Sequence, residues 1–558
     1  MIHNTNLSGI RSFLSLSILF LLLLTVVPNF SIIIFPLALS STTGAAAAGT
    51  SSSSPLLNIN RTTVLSPYVR EFDVPMIDSG PAGITVDPSG NVWFMEDSAS
   101  KVGVFFPSNE SFKEYPFTAP SQSQTQSANL SNIASLAISQ IAYDSHTGNL
   151  WFTWAASNSI GQFDPKTGQV KFYQVPTKAA GPFDILISPN DMIWFTEILG
   201  NKIGELNPVS GNIEEFDTPT SFSGPGMMTF DSKGRIWFAE TYAKKIGVLD
   251  PNNVQPGTPN GIQEYAPPFQ VFSPLGITFS GGDVWFTDHG ANSFGEFIPQ
   301  NNTWRQFWVN PPIGVSFGGV PIVQSLPAQI LIDKNGNVWL AEHQGNRIAR
   351  FDPSNGTLIE YLVPTRPLTE TLWLALDQNG NAWFTEHDTG KIGIVKASKT
   401  IPFSVSISND TLYLQQGRIS SSKVSVSFSS NASSSVGSLN FTLSGMSTFG
   451  LENMTYSFSP AQFASASKLN VANLSLDYLP NLQQGNYSLL VGASNDVIIE
   501  SVVVPLVVKS SSPSVPYDSF FIATVVGILV AASLLTFFIR KRKKRFETIQ
   551  QFTRIIDF

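Results

Sequence analysis

The stretch that decides the fold is "NVWLAEHQGNRIARFDP", Asn337–Pro353. A short apolar strand around Trp339 ends in Glu342–His343, and a small-residue loop then leads into a second strand. The same phrase recurs around seven tryptophans, 43 to 58 residues apart: Trp93, Trp151, Trp194, Trp237, Trp285, Trp339 and Trp383. A repeat of this length indicates an architecture built from one small unit used many times.

Each repeat has the composition of four short strands. An apolar strand such as "GITVD" (Gly83–Asp87) comes first, followed by a turn, the phrase "VWF", a small-residue loop, the phrase "KIG" and an extended segment that ends near proline. Apolar and polar residues alternate with a period of two, which is typical of strands rather than helices. One such unit is too small to bury its own faces. The pattern therefore predicts an all-β, seven-bladed β-propeller over residues 66–396.

The two ends of the repeat region predict how the ring closes. The unit around Trp383 stops without a fourth strand, whereas "REFDVP", Arg70–Pro75, precedes the first unit and matches the fourth-strand pattern. We expect this N-terminal strand to complete the last unit, because a closed ring leaves no unpaired strand edge.

Composition excludes several kinds of function. The 558 residues include no cysteine, which rules out disulfides, thiolate metal sites and cysteine nucleophiles. The net charge of −8 argues against a nucleic-acid partner. No GxxxxGK[ST] phosphate loop and no parallel α/β pattern occur, so nothing indicates a nucleotide cofactor.

Apolar segments at both ends predict export and membrane anchoring. A secretory signal, or an uncleaved anchor, is expected at 1–48 because an apolar run follows Arg11. The uncharged run Phe520–Ile539 is long enough to cross a bilayer, and the basic run Arg540–Arg545 should stay in the cytoplasm. We expect a single-pass cell-membrane protein, mostly extracellular, with these segments: linker 49–65, linker 510–517, transmembrane helix 518–539 and cytoplasmic tail 540–558.

Between the ring and the membrane the composition becomes rich in serine. Alternating segments such as "SKVSVSFSS" over 401–509 predict an immunoglobulin-like β-sandwich. We expect this sandwich to act as a spacer between the ring and the membrane. Eleven N-x-S/T motifs predict glycosylation of the extracellular part. Their asparagines are Asn60, Asn109, Asn129, Asn301, Asn355, Asn409, Asn431, Asn440, Asn453, Asn473 and Asn486.

The repeat resembles a known family. The pattern "GIT.D..GN.WFTE...NKIG...P..G...E...PT" is similar to the streptogramin B lyases, also called virginiamycin B lyases, with NHL-type and gluconolactonase-like propellers as neighbours. This resemblance implies a metal-dependent elimination that opens an ester C–O bond without water. It also implies catalytic histidines in a Pro-His-Gly-Ile phrase, eleven residues before the repeat tryptophan.

No histidine stands at those positions in this chain. Counting back eleven residues from each tryptophan gives Ala82, Gln140, Phe183, Gly226, Pro274 (or Leu275 if a turn residue is missing), Ala328 and Leu372. The upstream metal-binding glutamate implied by the family is absent as well. Because the family mechanism needs an imidazole as the proton acceptor, we expect the family reaction to be lost.

Three of the five histidines follow a carboxylate just after the second strand. The candidate catalytic group is therefore Asp288, His289, Glu342, His343, Glu386 and His387, with Asp288, His289, Glu342 and His343 as candidate metal ligands. Imidazole and carboxylate suit Zn, Mn or Ca, and a divalent cofactor such as Mg or Ca is the candidate here.

A structural clasp is the competing interpretation of the same carboxylates. Five residues after each glutamate comes a lysine or arginine, whereas serine follows Trp154 and Asp288. This co-variation predicts ion pairs across the hairpin, worth about 0.2–1 kcal/mol each when partly exposed. The predicted clasp residues are Glu96, Lys101, Glu197, Lys202, Glu240, Lys245, Arg347 and Lys391.

Two functions remain open from the sequence. The first is a surface-anchored propeller that binds a small molecule, glycan or protein outside the cell, or acts as a scaffold, without the catalytic histidines of the lyases. The second is a metal-dependent lyase (C–O elimination) or hydrolase with its centre moved to the carboxylate–histidine group.

Overall fold

The computed structural model describes residues 61–120, 139–312, 316–317, 320–415, 420–428, 438–445, 454–463, 469–478 and 484–509. The predicted signal, both linkers, the predicted span and the basic tail lie outside these residues, apart from the end of the first linker at 61–65. Within the described ranges no helix has the length and apolarity needed to cross a membrane.

Six of the tryptophan units are four-stranded antiparallel sheets of their own, and we number the units 1 to 7 along the chain. The strands of unit 1 are Pro81–Val86, Val92–Glu96, Lys101–Phe106 and Ser111–Pro116. Those of unit 2 are Ile141–Tyr143, Leu150–Trp154, Ser159–Asp164 and Gln169–Gln174. Those of unit 3 are Pro182–Ile187, Ile193–Glu197, Lys202–Leu206 and Ile213–Asp217.

Units 4 and 5 repeat the same order. The strands of unit 4 are Pro225–Phe230, Ile236–Glu240, Lys245–Leu249 and Ile262–Tyr265. Those of unit 5 are Pro274–Ser280, Asp283–Asp288, Ser293–Ile298 and Thr303–Trp308. The described residues are thus all-β with a propeller arrangement, and the 3₁₀ turns among them are Asp97–Ala99, Ala155–Ser157 and His387–Thr389.

Unit 7 takes its fourth strand from the N-terminal part of the chain. Leu374–Leu376, Ala382–Glu386 and Lys391–Val395 are its own strands. Val69–Asp73 pairs antiparallel with Lys391–Val395, which confirms the pairing predicted from "REFDVP". Phe72 on this strand contacts Phe105 of unit 1, with ring centroids 4.5 Å apart, so unit 7 also packs against unit 1.

Each repeat tryptophan is buried and packs against its neighbours, as the repeat pattern predicts. Trp93 of unit 1 lies 5.9 Å from the ring of Phe163 in unit 2, and its Nε1 donates to the carboxylate of Asp87 at 3.0 Å. Glycine in the "KIG" phrase has a steric cause, since a Cβ on Gly103 would stand 2.5 Å from the ring of Phe94.

Unit 6 has the same four strands but does not end at its fourth strand. Its strands are Pro327–Ile332, Val338–Glu342, Arg347–Asp352 and Thr357–Leu362. Thr357–Leu362 pairs antiparallel with Ile498–Lys509, the last strand described, over the register Thr357↔Val502 to Tyr361↔Ile498. The sheet therefore runs without interruption from the propeller into the C-terminal part.

The C-terminal strands form two sheets that share a core. One sheet orders Phe403–Ile407, Ser420–Phe428, Leu469–Tyr478 and Met454–Ser459. The other continues unit 6 through Ile498–Lys509, Gly485–Ser494, Leu439–Gly445 and Gln462–Phe463, with Leu412–Gln415 parallel to Ile498–Lys509. Leu474 and Leu506 from the two sheets lie in one cluster with Trp339 and Tyr361 of unit 6, so the core is continuous with the propeller.

A buried polar network fixes this junction. Asn310, after the last strand of unit 5, donates through its backbone N and its Nδ2 to the carboxylate of Glu360, at 3.0 and 2.5 Å. The same Nδ2 lies 3.1 Å from Ser501 Oγ, and Ser444 Oγ donates to Asn310 Oδ1 at 2.6 Å. One asparagine thus joins units 5 and 6 to the strands Ile498–Lys509 and Leu439–Gly445.

Candidate functional site

A bulge in the first strand fixes the position where the resemblance to the streptogramin B lyases implies a histidine. In unit 1, Pro81 pairs with Glu96 and Ile84 with Phe94, so Ala82 and Gly83 bulge out of the ladder. Bulges in units 3, 4 and 6 put Phe183, Gly226 and Ala328 at the place of Ala82. In unit 7, Leu374 pairs with Phe384 as Ile84 pairs with Phe94, which makes Leu372 the equivalent residue.

Two units depart from the count of eleven residues, because their turns differ in length. Ile141 pairs with Phe152 in unit 2, which makes Ser139, not Gln140, the equivalent residue. Pro274 pairs with Asp288 in unit 5, so the equivalent is Leu275 rather than Pro274. None of the seven side chains at this level is an imidazole.

Aromatic side chains fill the centre of the propeller at this level. Phe183 of unit 3 and Trp373 of unit 7 lie with ring centroids 5.8 Å apart, although their units are not neighbours along the chain. Both are buried, and they belong to one cluster with Ala82, Leu275 and Leu372. We call Phe183 and Trp373 the central plug, because they occupy the axis where a ligand would have to enter.

The glutamates after the second strand are structural rather than open to a ligand. Glu96 faces Lys101 across its hairpin, as the clasp hypothesis expects, and the same register holds for Glu197–Lys202, Glu240–Lys245, Glu342–Arg347 and Glu386–Lys391. The nearest carboxylate to each cation is nevertheless on the fourth strand. Lys101 contacts Glu114 at 2.7 Å, Lys202 contacts Glu215 at 2.9 Å and Lys245 contacts Glu264 at 2.6 Å.

Arg347 and Lys391 follow the same rule. Arg347 lies 3.1 Å from Glu360 and 3.7 Å from Glu342, while Lys391 contacts Asp73 on the N-terminal strand. Each cation therefore contacts a carboxylate on the fourth strand, a contact that the clasp hypothesis does not include.

The second-strand glutamates are buried beside the fourth-strand glutamates. Burial, followed by the charge of Glu114, raises the pKa of Glu96 to about 7. Burial and Glu215 raise the pKa of Glu197 to about 9, and burial and Glu264 raise that of Glu240 to about 8. Burial raises the pKa of Glu342 and of Glu386 well above the usual range, with Glu360 and Glu71 as the next contributions.

These paired acids are best described as a carboxylic acid that shares its proton with a carboxylate. The oxygens of Glu96 have no ordinary donor among the described residues, although Glu96 lies next to Glu114. A proton on the buried glutamate supplies the missing donor, so the pair carries one negative charge that the nearby lysine balances.

The third member could have been found in the sequence. The fourth-strand residue opposite the "KIG" glycine, or its equivalent, is glutamate in the five units that have the other two members, Glu114, Glu215, Glu264, Glu360 and Glu71. In the two units without a second-strand glutamate it is Phe172 and Gln306. The second-strand glutamate, the third-strand cation and the fourth-strand glutamate are present together or absent together in each unit, which indicates that they form one structural group.

Two of the three loop histidines lie against each other. The rings of His289 and His343 are nearly parallel, with a 13° angle and centroids 5.3 Å apart. His289 Nδ1 lies 3.3 Å from the carbonyl oxygen of Pro327, so this nitrogen carries the hydrogen and Nε2 keeps a lone pair. Burial, and then the neighbouring His343, lower the pKa of His289 to about 3, so the ring is neutral at pH 7.

Glu370, which sequence reasoning missed, completes this group. Its carboxyl contacts His343 Nε2. Burial, then the charge of Asp388, raises the pKa of Glu370 to about 8, and burial lowers that of His343 to about 4. Both shifts favour the uncharged forms, so the contact is a neutral hydrogen bond in which the Glu370 hydroxyl donates, rather than an ion pair.

The loop that holds Glu370 is fixed by its neighbours. Glu370 has a φ of 58°, a left-handed conformation that is unfavourable for a residue with a side chain. Arg61 donates to the carbonyl oxygen of Leu368 at 2.9 Å, and Thr369 donates through N and Oγ1 to Asn346 Oδ1 at 2.8 and 2.6 Å. Strained backbone that is held in this way is common at functional sites.

His387 lies beside the same loop. Its Nδ1 is 3.1 Å from Asp388 Oδ1, and a Cβ on Gly80 of unit 1 would stand 3.0 Å from its Nε2. Burial alone would lower the pKa of His387, but the hydrogen bond to Asp388 and the charges of Asp97 and Glu370 raise it overall. We call His289, His343, Glu370, His387 and Asp388 the rim arc, since they extend from unit 5 to the contact with unit 1.

The other predicted site residues do not face the rim arc. The carboxylate of Asp288 accepts backbone N–H groups from Phe272 at 3.0 Å and Ser273 at 2.7 Å. Glu342 and Glu386 belong to the shared-proton pairs. The metal-site hypothesis stays a prediction. In the described ranges, the group of three acidic or histidine side chains whose ligand atoms all lie within 4.8 Å of one another is Asp144, His146 and Asp191. This group stands in turns at the other end of the strands.

The rim arc can bind hydrogen-bonding groups and move protons. Neutral imidazoles, a protonated carboxyl and a His–Asp pair offer donors and acceptors without a large net charge. The central plug leaves no imidazole at the axis, so the chemistry available to this chain is at the rim.

Several solved structures are similar to the propeller. Virginiamycin B lyase from Staphylococcus aureus is 26% identical over 59% of this chain and 99% of its own, with a TM-score of 0.49. A streptogramin B lyase structure is 28% identical over 59% of this chain and 97% of its own, also with a TM-score of 0.49. A catalytically inactive variant of the S. aureus enzyme with quinupristin matches at 26% identity, 59% and 98% coverage and a TM-score of 0.49.

Among curated proteins, none matches the chain. The sequence model of the virginiamycin B lyase family matches residues 69–312, which span the N-terminal strand to the end of unit 5. The register of the first-strand bulges and the repeated tryptophans agree with that match. Residues 69–312, which hold the N-terminal strand and units 1 to 5, are therefore similar to the virginiamycin B lyase family.

Proposed function

We propose that this protein is a ligand-binding propeller whose site is the rim arc, and that it does not perform the elimination reaction of its lyase relatives. The observation that carries this proposal is the central plug of Phe183 and Trp373, 5.8 Å apart, at the level where the family would need an imidazole. Three of the five histidines, His289, His343 and His387, are gathered at the rim instead.

The surroundings of the rim arc favour an uncharged ligand with an apolar face. Loops at the same end of the strands expose Ile77 and Phe222, 81% and 85% accessible, together with Tyr242 and Val323. Exposed apolar side chains near convergent polar groups are typical of binding surfaces. A glycan, a small molecule or a protein segment outside the cell fits these properties.

The same proposal includes the whole chain. Units 1 to 7 form a seven-bladed ring in which unit 6 is one blade, and the two C-terminal sheets form an immunoglobulin-like sandwich. The predicted signal and span hold this assembly on the outer surface of the cell membrane. The pairing of Thr357–Leu362 with Ile498–Lys509 supports a sandwich that presents the ring rigidly.

The proposal is tested with the full chain in detergent on glycan and peptide arrays. We expect binders that are lost in His343→Ala and in Glu370→Ala but kept in His146→Ala, a histidine at the other end of the strands. An array profile that is identical in wild type and in both rim variants would overturn the rim site. Ring opening of quinupristin by the wild-type chain would overturn the loss of the family reaction.

An enzyme with a re-sited centre is the second candidate. The contact of Glu370 with His343 and the 3.1 Å separation of His387 Nδ1 from Asp388 Oδ1 favour it, because such pairs transfer protons. Calorimetry with Zn²⁺, Mn²⁺, Mg²⁺ and Ca²⁺ on the full chain separates the two. Stoichiometric metal that disappears in His343→Ala supports the metal-dependent enzyme, whereas no bound metal supports the ligand-binding protein.

A further inference from the structure

Three asparagines of the propeller occupy one equivalent turn in different units. Asn109, Asn301 and Asn355 lie between the third and fourth strands of units 1, 5 and 6, and all three are exposed. Each begins an N-x-S/T motif, and the described part of the propeller holds no other such motif. Asn129 lies outside the described residues.

The three motifs share a local geometry. Asn301 Oδ1 accepts from the backbone N of Thr303 at 3.1 Å, and Asn355 Oδ1 accepts from that of Thr357 at 2.9 Å. Asn109 Oδ1 accepts from Ser111 Oγ at 2.8 Å and from its N at 3.3 Å. The amide oxygen is thus turned toward the hydroxyl residue of the motif in every case. Asn355 Nδ2 donates to Asp352 Oδ2 at 2.8 Å. The Nδ2 atoms of Asn109 and Asn301 have no hydrogen-bond partner among the described residues.

Strand order places these turns at the end opposite the rim arc. Strands alternate in direction within a unit, so the turns after the first and third strands share one end. The loop after the second strand and the connection to the next unit share the other end. Ser98 N donates to Ser79 O at 3.0 Å and Phe117 N to Ser100 O at 3.0 Å, which shows those two loop types in contact.

We propose that Asn109, Asn301 and Asn355 carry N-linked glycans, which cover the end of the ring opposite the rim arc. In this modification Asn Nδ2 forms a bond to the anomeric carbon of a glycan carried on a polyprenyl phosphate or pyrophosphate. The sugar–phosphate bond breaks, and the leaving phosphate takes its electrons while the amide proton is lost to a base of the transferase. The inference concerns the end away from the ligand site and does not depend on any ligand.

Exposure of the remaining motifs agrees with this placement. The described motif asparagines of the C-terminal sheets, Asn409, Asn440, Asn473 and Asn486, are exposed as well. Asn473 stands on Leu469–Tyr478 between buried Ala472 and Leu474, so it faces away from the core. An asparagine in a strand could equally have faced inward, where a glycan could not be attached.

Site-specific mass spectrometry provides the test. The full chain is produced in a host with N-glycosylation, recovered from the membrane fraction and deglycosylated enzymatically in H₂¹⁸O, which marks each occupied asparagine. We expect marks at Asn109, Asn301 and Asn355. Asn207 is the matched control, because it occupies the same turn of unit 3 and accepts from Val209 N at 2.9 Å, but Pro208 follows it and no motif exists. Unmarked Asn109, Asn301 and Asn355, or equal marking of Asn207, would overturn the proposal.

The absence of cysteine allows a second test of which end is covered. Ser354→Cys adds a thiol beside Asn355, and Ser221→Cys adds one in the connection between units 3 and 4, at the rim-arc end; both serines are exposed. A bulky polyethylene-glycol maleimide should label Ser354→Cys several-fold faster after deglycosylation and Ser221→Cys at an unchanged rate. Equal acceleration at both positions, or at neither, would contradict a one-sided glycan cover.

Discussion

Phe183 and Trp373 meet across the axis of the propeller, with ring centroids 5.8 Å apart. They come from units 3 and 7, so this contact ties together parts of the ring that share no strand pairing. Phe183 stands where the resemblance to the streptogramin B lyases implies an imidazole, and Trp373 directly follows the equivalent Leu372. Both side chains are buried and pack together.

Truncation of the plug is therefore expected to destabilise the fold. Phe183→Ala removes a buried ring, and such substitutions cost about 3–5 kcal/mol of unfolding free energy. Guanidinium unfolding followed by tryptophan fluorescence measures the loss. Phe222→Ala, at an 85% exposed position, is the control and should change the free energy by less than about 0.5 kcal/mol. Equal effects of the two variants would show that the axis is not packed.

The shared-proton pairs predict a loss of stability as the pH rises. Glu96, Glu197 and Glu240 have pKa values of about 7, 9 and 8, above the ordinary value of 4.5. Between pH 4.5 and these values the folded chain binds more protons than the unfolded chain, so stability falls with increasing pH. Melting temperatures should be higher at pH 5.5 than at pH 8.5.

Glu197→Gln tests one of these pairs, since the amide donates to Glu215 without a titrating proton. We expect this variant to show a weaker pH dependence and a higher melting temperature than wild type at pH 8.5. Glu214→Gln changes an exposed neighbour and should leave the profile unchanged. A profile of Glu197→Gln that follows wild type would contradict the shared proton.

His343 provides a pH dependence of the opposite sign. Its pKa of about 4 lies below the ordinary 6.5, so the unfolded chain binds more protons between these values. Stability from this group is complete above pH 6.5 and is lost as the pH falls toward 4. NMR titration of the five histidines should show His343 neutral at pH 5.5, and a midpoint above pH 6 would contradict the buried, uncharged arrangement.

Fourth-strand glutamates also join neighbouring units, which gives a further prediction. Glu264 accepts from Thr220 N at 2.7 Å and from Thr220 Oγ1 at 2.6 Å, across units 4 and 3. Thr220→Val keeps the shape and removes the hydroxyl, and it should cost about 1–3 kcal/mol in chemical denaturation. Thr400→Val, at an exposed position, is the control. A change below 0.5 kcal/mol for Thr220→Val would mean that the contact is not formed.

Loss of Asn310 should loosen the C-terminal sheets. In Asn310→Ala, Glu360, Ser444 and Ser501 each lose a buried partner, at about 1–3 kcal/mol. Hydrogen exchange of 498–502 should accelerate by about tenfold or more, while exchange in unit 2 stays unchanged. If Asn310→Ala changes the exchange rates of 498–502 and of unit 2 by the same factor, the asparagine does not stabilise this junction.

The sequence predicted those features that recur with the tryptophans. The strand order, the buried tryptophans and the pairing of Val69–Asp73 follow from a repeated local pattern, and all are present. The positions of Gln140 and Pro274 were assigned by a fixed count, which fails where a turn gains or loses one residue. Strand register, rather than spacing from the tryptophan, decides which residue enters the bulge.

Other features depend on contacts that no local pattern contains. Glu370 stands in a connection between units, 27 residues from His343, and no repeated phrase marks it. Likewise, "TLIEYL" in unit 6 resembles the fourth strands of the other units. Among the described strands, however, Ile498–Lys509 pairs with the fourth strand of unit 6 and not with those of the other units. Sequence alternation over 401–509 predicts strands but not their partners, so it does not predict this pairing.

The continuous sheet of unit 6 has a mechanical consequence. A pull on the chain at Lys509 acts along Ile498–Lys509, which pairs over ten residues with Gly485–Ser494 and over five with Thr357–Tyr361. Hydrogen bonds perpendicular to the pull are strained together in shear rather than opened one after another. Tension applied at the C-terminal side would therefore be transmitted to unit 6 directly, because strand pairing rather than a hinge joins this unit to Ile498–Lys509.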